Sequence, residues 1–204
     1  LLLHFFVLTP GTFLGRTFQM VAALFLSLAL LSGILALQRP ALRRLGIALV
    51  AGAIMFRVAS IFGDAPWLPF CDTIFTLLSL VALILIVFRI VSEEGPVSGH
   101  RVRGAVALYL LMAVLFAFLY GLTEALAPGA FNIPGSQAGG AARGETFYYF
   151  SIVTLTPVGF GDVTAIHPFA RSLVMLEALI GQLYPAILIA RLVTLQLETR
   201  RSGK

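Results

Sequence analysis

Apolar length and the placement of charge divide this chain into segments. From Thr17 to Gln38 run 22 residues without a charge, long enough for a tilted helix to cross a hydrocarbon core, which takes about 20 residues. Gln38-Arg39-Pro40 closes that stretch, and Leu45 to Phe62 makes a second, interrupted by Arg57 shortly before Gly63-Asp64. An arginine so near the end of a span is expected to snorkel, with its stem in hydrocarbon and its charge among headgroups. Pro66-Trp67-Leu68-Pro69 reads as a turn with an interfacial tryptophan, and a third span follows from Phe70 to Ile90. Ser92 to Val102, with Glu93, Glu94, Gly95, Pro96 and Gly99, breaks the pattern as a linker. A fourth span is expected from Arg103 to Leu122, an exposed Gly-, Ala- and Pro-rich turret from Ala127 to Arg143, and a last helix from Pro168 to Gln196. The expected fold class is an all-α membrane protein. No internal repeat is visible, which counts against an inverted-repeat transporter.

One segment does not fit the series of spans. Thr146 to Gly161 is uncharged for only 16 residues, too few to cross as a helix, and it ends in Gly159-Phe160-Gly161, which does not continue one. A chain built this way dips into the membrane and turns back.

Composition narrows the class further. With 59% hydrophobic residues, a mean hydropathy of +1.00 and 11% charge, the chain reads as an integral membrane protein and not a soluble domain. The net charge of +5 comes from 14 basic residues scattered at segment ends, so it sets topology, with membrane lipid and no nucleic acid as the expected surroundings. Cys71 is the single cysteine, which rules out an intramolecular disulfide and a thiol metal cluster. His4, His100 and His167 lack ligand-like spacing. No nucleophile, base and orienting group cluster in the sequence, so no enzyme activity and no cofactor are expected.

The short segment carries Thr154-Leu155-Thr156-Pro157-Val158-Gly159-Phe160-Gly161-Asp162. An aromatic, hydroxyl-rich half-helix precedes the glycines, an aspartate follows them, and a long apolar helix lies on each side. Together these resemble the pore module of the potassium-channel superfamily, whose filter usually reads Thr-Val-Gly-Tyr-Gly-Asp. The resemblance covers Arg103 to Leu197 and is closest to small bacterial-type potassium channels without a cytoplasmic regulatory domain. It implies a tetrameric potassium-channel-like pore of two helices plus a re-entrant half-helix and filter, beside an N-terminal peripheral helical bundle. Residues 1–92 would form that bundle, 93–103 a cytoplasmic linker, 104–197 the pore domain and 198–204 a short cytoplasmic tail. The implied function is a passive, potassium-selective, homotetrameric channel in the cell (plasma) membrane, with potassium ions as permeant ligand. Two alternatives stay open: a weakly selective cation channel, and a non-conducting membrane scaffold or sensor that keeps the fold.

The superfamily's arrangement, with the filter opening outside, places Arg39, Arg43, Arg44, Arg89, Arg101, Arg103, Arg191, Arg200, Arg201 and Lys204 on the cytoplasmic side and Arg16, Arg57, Arg143 and Arg171 outside, in keeping with the positive-inside rule. Three spans before the linker then put residue 1 outside. Leu1 to Leu8 is too short to cross, and reads as the end of a truncated upstream helix or as an interfacial segment, with the first preferred. No span carries the serial basic residues of a voltage sensor, since the second offers only Arg43, Arg44 and Arg57.

The resemblance also assigns roles. A potassium ion entering a narrow pore must exchange water for stacked oxygens, and backbone carbonyls supply them. Those of Pro157, Val158, Gly159, Phe160 and Gly161 are expected to form the ladder, bounded by Thr156 and Asp162, with glycine permitting the alternating backbone that turns successive carbonyls to one axis. Pro157 stands where the family has Thr, so the innermost ring of hydroxyls is missing and the inner site is weakened. Phe160 replaces the usual Tyr and loses a tether. Val153 stands where several relatives have a Glu that braces the filter aspartate, leaving Asp162 to find another partner or to face solvent. Phe150 and Tyr149 are candidate filter supports; Tyr148 and Tyr149 also suit an interfacial aromatic belt, and Phe150 is the better support of the three. Glu177, a carboxylate within the last helix, is either a functional group or a structural hydrogen bond behind the filter. Gly181 and Pro185 resemble a gating hinge, because proline removes a helical hydrogen bond and glycine lowers resistance to bending; close packing is the other reading.

Overall fold

A computed structural model describes residues 16–35, 40–63, 65, 67–92, 99–133 and 140–202. Leu1–Leu8, most of the linker and the middle of the turret lie outside these residues. The elements in chain order are α1 (Arg16–Leu35), α2 (Pro40–Phe62), α3 (Trp67–Ser92), α4 (Gly99–Leu126), β1 (Phe131–Asn132), α5 (Gly140–Leu155), β2 (Thr164–Ala165) and α6 (Pro168–Ser202). Among the described residues three stretches are long and apolar enough to cross a membrane: Trp67–Val91, Val102–Leu126 and Pro168–Arg191. The chain is a multi-pass membrane protein. In α1 the apolar run within the described residues is the shorter Leu24–Leu35.

Proline and capping set several helix starts. Pro40 and Pro168 open α2 and α6, where a missing N–H costs nothing. Pro69 lies within the first turn of α3 for the same reason. At the head of α6 the Phe169 N–H donates to His167 Nδ1 at 3.2 Å, so His167 satisfies an otherwise open helix-end donor.

Two apolar clusters hold the elements together. Leu26, Leu30 and Ile34 of α1, Val50 of α2, Leu80 and Leu83 of α3, Leu111 and Val114 of α4, and Leu155 at the end of α5 form one. The second is aromatic: Phe116 and Tyr120 of α4, Phe131 of β1, and Phe147 and Phe150 of α5, with Val163 and Ala170. The first joins the N-terminal helices to α4 and α5; the second lies behind the loop that follows α5.

Two expectations are corrected here. Arg57 does not snorkel. Its guanidinium turns inward and donates through Nε to Asp72 Oδ2 at 3.2 Å, through Nη2 to Asp72 Oδ1 at 3.1 Å and Thr76 Oγ1 at 3.3 Å, and through Nη1 to Ser27 Oγ at 2.6 Å. A two-pronged ion pair with two hydroxyls satisfies the fork where water is scarce, and it ties α1, α2 and α3. The turret is also less exposed than its composition implied. Ala130 and Phe131 are buried, because β1 pairs antiparallel with β2, Phe131 opposite Ala165 and Asn132 opposite Thr164.

Candidate functional site

The site begins where α5 stops. Its 16 residues give way at Thr156-Pro157, because proline supplies no N–H to extend the ladder. The end is closed by donors from beyond it: Thr156 N and Oγ1 both donate to Ile152 O, at 3.0 and 2.6 Å, and Val158 N and Gly159 N donate to Val153 O at 3.0 and 3.3 Å. From there the chain runs without regular structure through Gly159, Phe160, Gly161 and Asp162 to β2.

Gly159 has φ +59° and Gly161 φ +76°, and no described residue other than glycine has a positive φ. A Cβ at either would meet nothing within 4 Å, so what selects glycine there is backbone geometry and not crowding. Left-handed residues alternating with Val158 and Phe160 rotate successive peptide planes, the geometry that lets neighbouring carbonyls face one side. Thr156 to Asp162 are exposed in the single chain. A groove of about 550 Å³ runs beside them, lined by Phe150, Val153, Pro157 and Phe160 on one wall and by Val174 and Met175 of α6 on the other.

Each flank of the loop is braced. Phe150 is buried, its ring centroid 5.2 Å from that of Tyr120 and 5.8 Å from that of Phe131. Tyr149 lies parallel to Phe160, centroids 6.4 Å apart and planes within 1°, with its phenol near the Asp162 carboxylate. Asp162 itself is exposed to solvent. Glu177 is fully buried and takes hydrogen bonds from the Tyr120 hydroxyl of α4 and from Ser151 Oγ of α5. Ser151 Oγ also lies 2.8 Å from Ala113 O of α4, so three helices meet at one carboxyl.

Gly181 is a point of contact. A Cβ there would stand 2.0 Å from Leu155 O and 2.7 Å from its carbonyl carbon, so only glycine lets α6 approach the end of α5 this closely. The same Leu155 O accepts the Tyr109 hydroxyl at 2.8 Å. Tyr184 stacks on Tyr109, centroids 5.9 Å apart at 18°, and donates to Ala105 O at 2.9 Å. Pro185 lies inside α6, which runs on past it. The N–H that proline lacks is the one that Gly181 C=O, four residues earlier, would have accepted, so the two residues share one missing bond.

Residues 105–197, the stretch that contains this loop and both flanking helices, match the family model described as Ion channel. Over this stretch the chain is similar to ion channels. Protein LctB of Geobacillus stearothermophilus is similar to the channel segment at 34% identity over 87 residues, 42% of this chain and 64% of that relative. The chain therefore spans less than two thirds of the relative's length. No solved structure matches.

Within the channel segment the structure brings Thr156–Asp162, Tyr149, Phe150, Glu177 and Gly181 around one loop, with Pro185 a turn further along α6. Sequence reading missed Tyr109, Tyr120, Ser151 and Glu124. Each is a polar side chain in or beside an apolar span, and such a group in hydrocarbon needs a partner; that signal flags the residue without naming the partner.

Proposed function

We propose that this protein is a passive, potassium-selective channel that works as a homotetramer, with ions passing along the carbonyls of Pro157, Val158, Gly159, Phe160 and Gly161. The observation that carries the reading is the pair of left-handed glycines on either side of Phe160, on a loop preceded by a half-helix and flanked by spans. Four copies around one axis supply rings of oxygens that replace an ion's water, and the C-terminal end of α5 lends partial negative charge to the inner side. The tetramer is favoured by what one chain leaves uncovered: Val158 is 54% and Phe160 68% exposed, and Met175, Leu179, Leu183 and Ile187 of α6 are exposed too. Some of that surface suits lipid, but the loop and its groove suit another copy. Asp162 at the mouth draws cations.

A weakly selective cation channel is the second reading, favoured by the inner end of the loop. Pro157 carries no hydroxyl, so the ring of oxygens that a threonine side chain would offer an ion at that position is missing. Purified protein in liposomes under opposing potassium and sodium gradients separates the readings. A current abolished by Gly159→Ala is expected, reversing near the potassium potential; reversal near zero supports the second reading. No flux from tetrameric protein under any gradient counts against both.

A further inference from the structure

We propose that Glu124 is a positioning residue for the outer exit of the ion path, acting through a clip between the turret and the segment after Asp162. The clip begins at the end of α4. Glu124, 5% exposed, accepts the Gly129 N–H on Oε1 at 2.9 Å and the Phe131 N–H on Oε2 at 3.2 Å. Gly129 has φ +86°, so the carboxylate fixes a tight turn on both of its sides. That turn aims β1 at β2. Beyond the pairing of Phe131 with Ala165 and Asn132 with Thr164, Ile166 N and His167 N both donate to Ala130 O, at 2.8 and 3.1 Å.

The consequence for the path follows from distance along the chain. β2 starts two residues after Asp162, and Val163 between them is buried in the aromatic cluster. On its other side β2 is held by α6, through Arg171 Nε to Ala165 O at 3.1 Å. A two-residue ladder does not hold itself together, so its register depends on the turn that presents β1. The Phe131 N–H is buried and goes to Glu124; without that acceptor it would be an unsatisfied donor, and the turn would relax to find water. Release of β1 leaves the exit anchored from α6 alone.

This rests on the reading of residues 156–162 as the ion path, and the test separates the two. Glu124→Gln keeps the size but presents an amide N–H₂ where one of the two backbone donors needs an oxygen. Amide hydrogen exchange of the full chain in potassium-containing lipid vesicles should quicken about tenfold, the weight of one such bond, at 129–131 and at 158–167, while 171–191 of α6 keep native protection. The reversal potential under opposing potassium and sodium gradients should move towards zero, which a loss of folding alone would not cause. Ile166→Pro, which removes the shorter of the two bonds to Ala130 O without touching Glu124, should give the same exchange pattern at 158–167. Faster exchange confined to 129–131 overturns the proposal, as does equal loosening of α6, which would make Glu124 a general folding residue. If the unaltered protein passes no ions, the channel reading fails while the exchange comparison still decides the clip.

Discussion

In the N-terminal helices buried charge is met by charge, whereas in the channel segment buried polar groups are met by hydroxyls and by backbone N–H and C=O groups. Arg57 and Asp72 face each other across α2 and α3, with Ser27 and Thr76 filling the remaining directions of the guanidinium. Around the loop the bonds are Tyr120 and Ser151 to Glu177, Tyr109 to Leu155 O and Tyr184 to Ala105 O. The energy scales differ. Removing one partner of a buried ion pair costs about 3–5 kcal/mol, while a single neutral hydrogen bond contributes about 1 kcal/mol net. The N-terminal helices therefore form a frame in which a single change strands a charge, whereas the channel segment is held by many small bonds, each lost at modest cost.

The largest effect expected is at the frame. Asp72→Ala strands the Arg57 charge and should lower stability by about 3 kcal/mol, the low end for a buried pair because both side chains keep some exposure. Adding Arg57→Met should recover most of that loss, since an apolar side chain of similar length needs no counter-charge. Thermal unfolding of the purified protein reads both variants, and the reversal potential should stay unchanged in each. A double variant as unstable as the single one would show that the charges do not account for the frame.

Next in size is the contact between α5 and α6. Gly181→Ala places a methyl against the Leu155 carbonyl, which is backbone and already holds the Tyr109 hydroxyl. The helices must part, at about 2 kcal/mol, as for other overpacked sites. The sign decides between the two roles of this glycine. Alanine is a better helix former than glycine by about 1 kcal/mol, so a residue that served only as a flexible joint would give a more stable protein when changed to alanine. A lowered melting temperature supports the contact, and a raised one supports the joint alone.

What the sequence made legible follows the same division between local and tertiary causes. The spans at α3, α4 and α6 are written in apolar length, which needs no partner to be read. The re-entrant loop is legible because Thr146 to Gly161 is too short to cross and because Gly159 and Gly161 take a backbone that other residues resist. Arg57 was misread because its partner lies 15 residues away on another helix, and nothing near Arg57 announces Asp72. The pairing of β1 with β2 was invisible, since two residues carry no alternation. Tyr109 and Tyr120 look alike on α4, yet one holds the end of α5 and the other a carboxyl of α6.

The smallest effect in stability, and the sharpest in function, belongs to the loop itself. Pro157→Thr restores a hydroxyl at the inner end of the proposed ladder and also an N–H. The hydroxyl has nothing else to do there, because Ile152 O already takes the Thr156 N–H and hydroxyl and Val153 O takes the next two amides. It is free to face the axis. Stability should change by less than about 0.5 kcal/mol, as for an exposed substitution, and ion occupancy at the inner site should rise in structures determined with a heavier potassium substitute. Under opposing gradients the reversal potential should move towards that of potassium if the native pore is the less selective of the two. Unchanged inner-site occupancy would mean that the carbonyls alone define that site, and that the native proline leaves no deficit to repair.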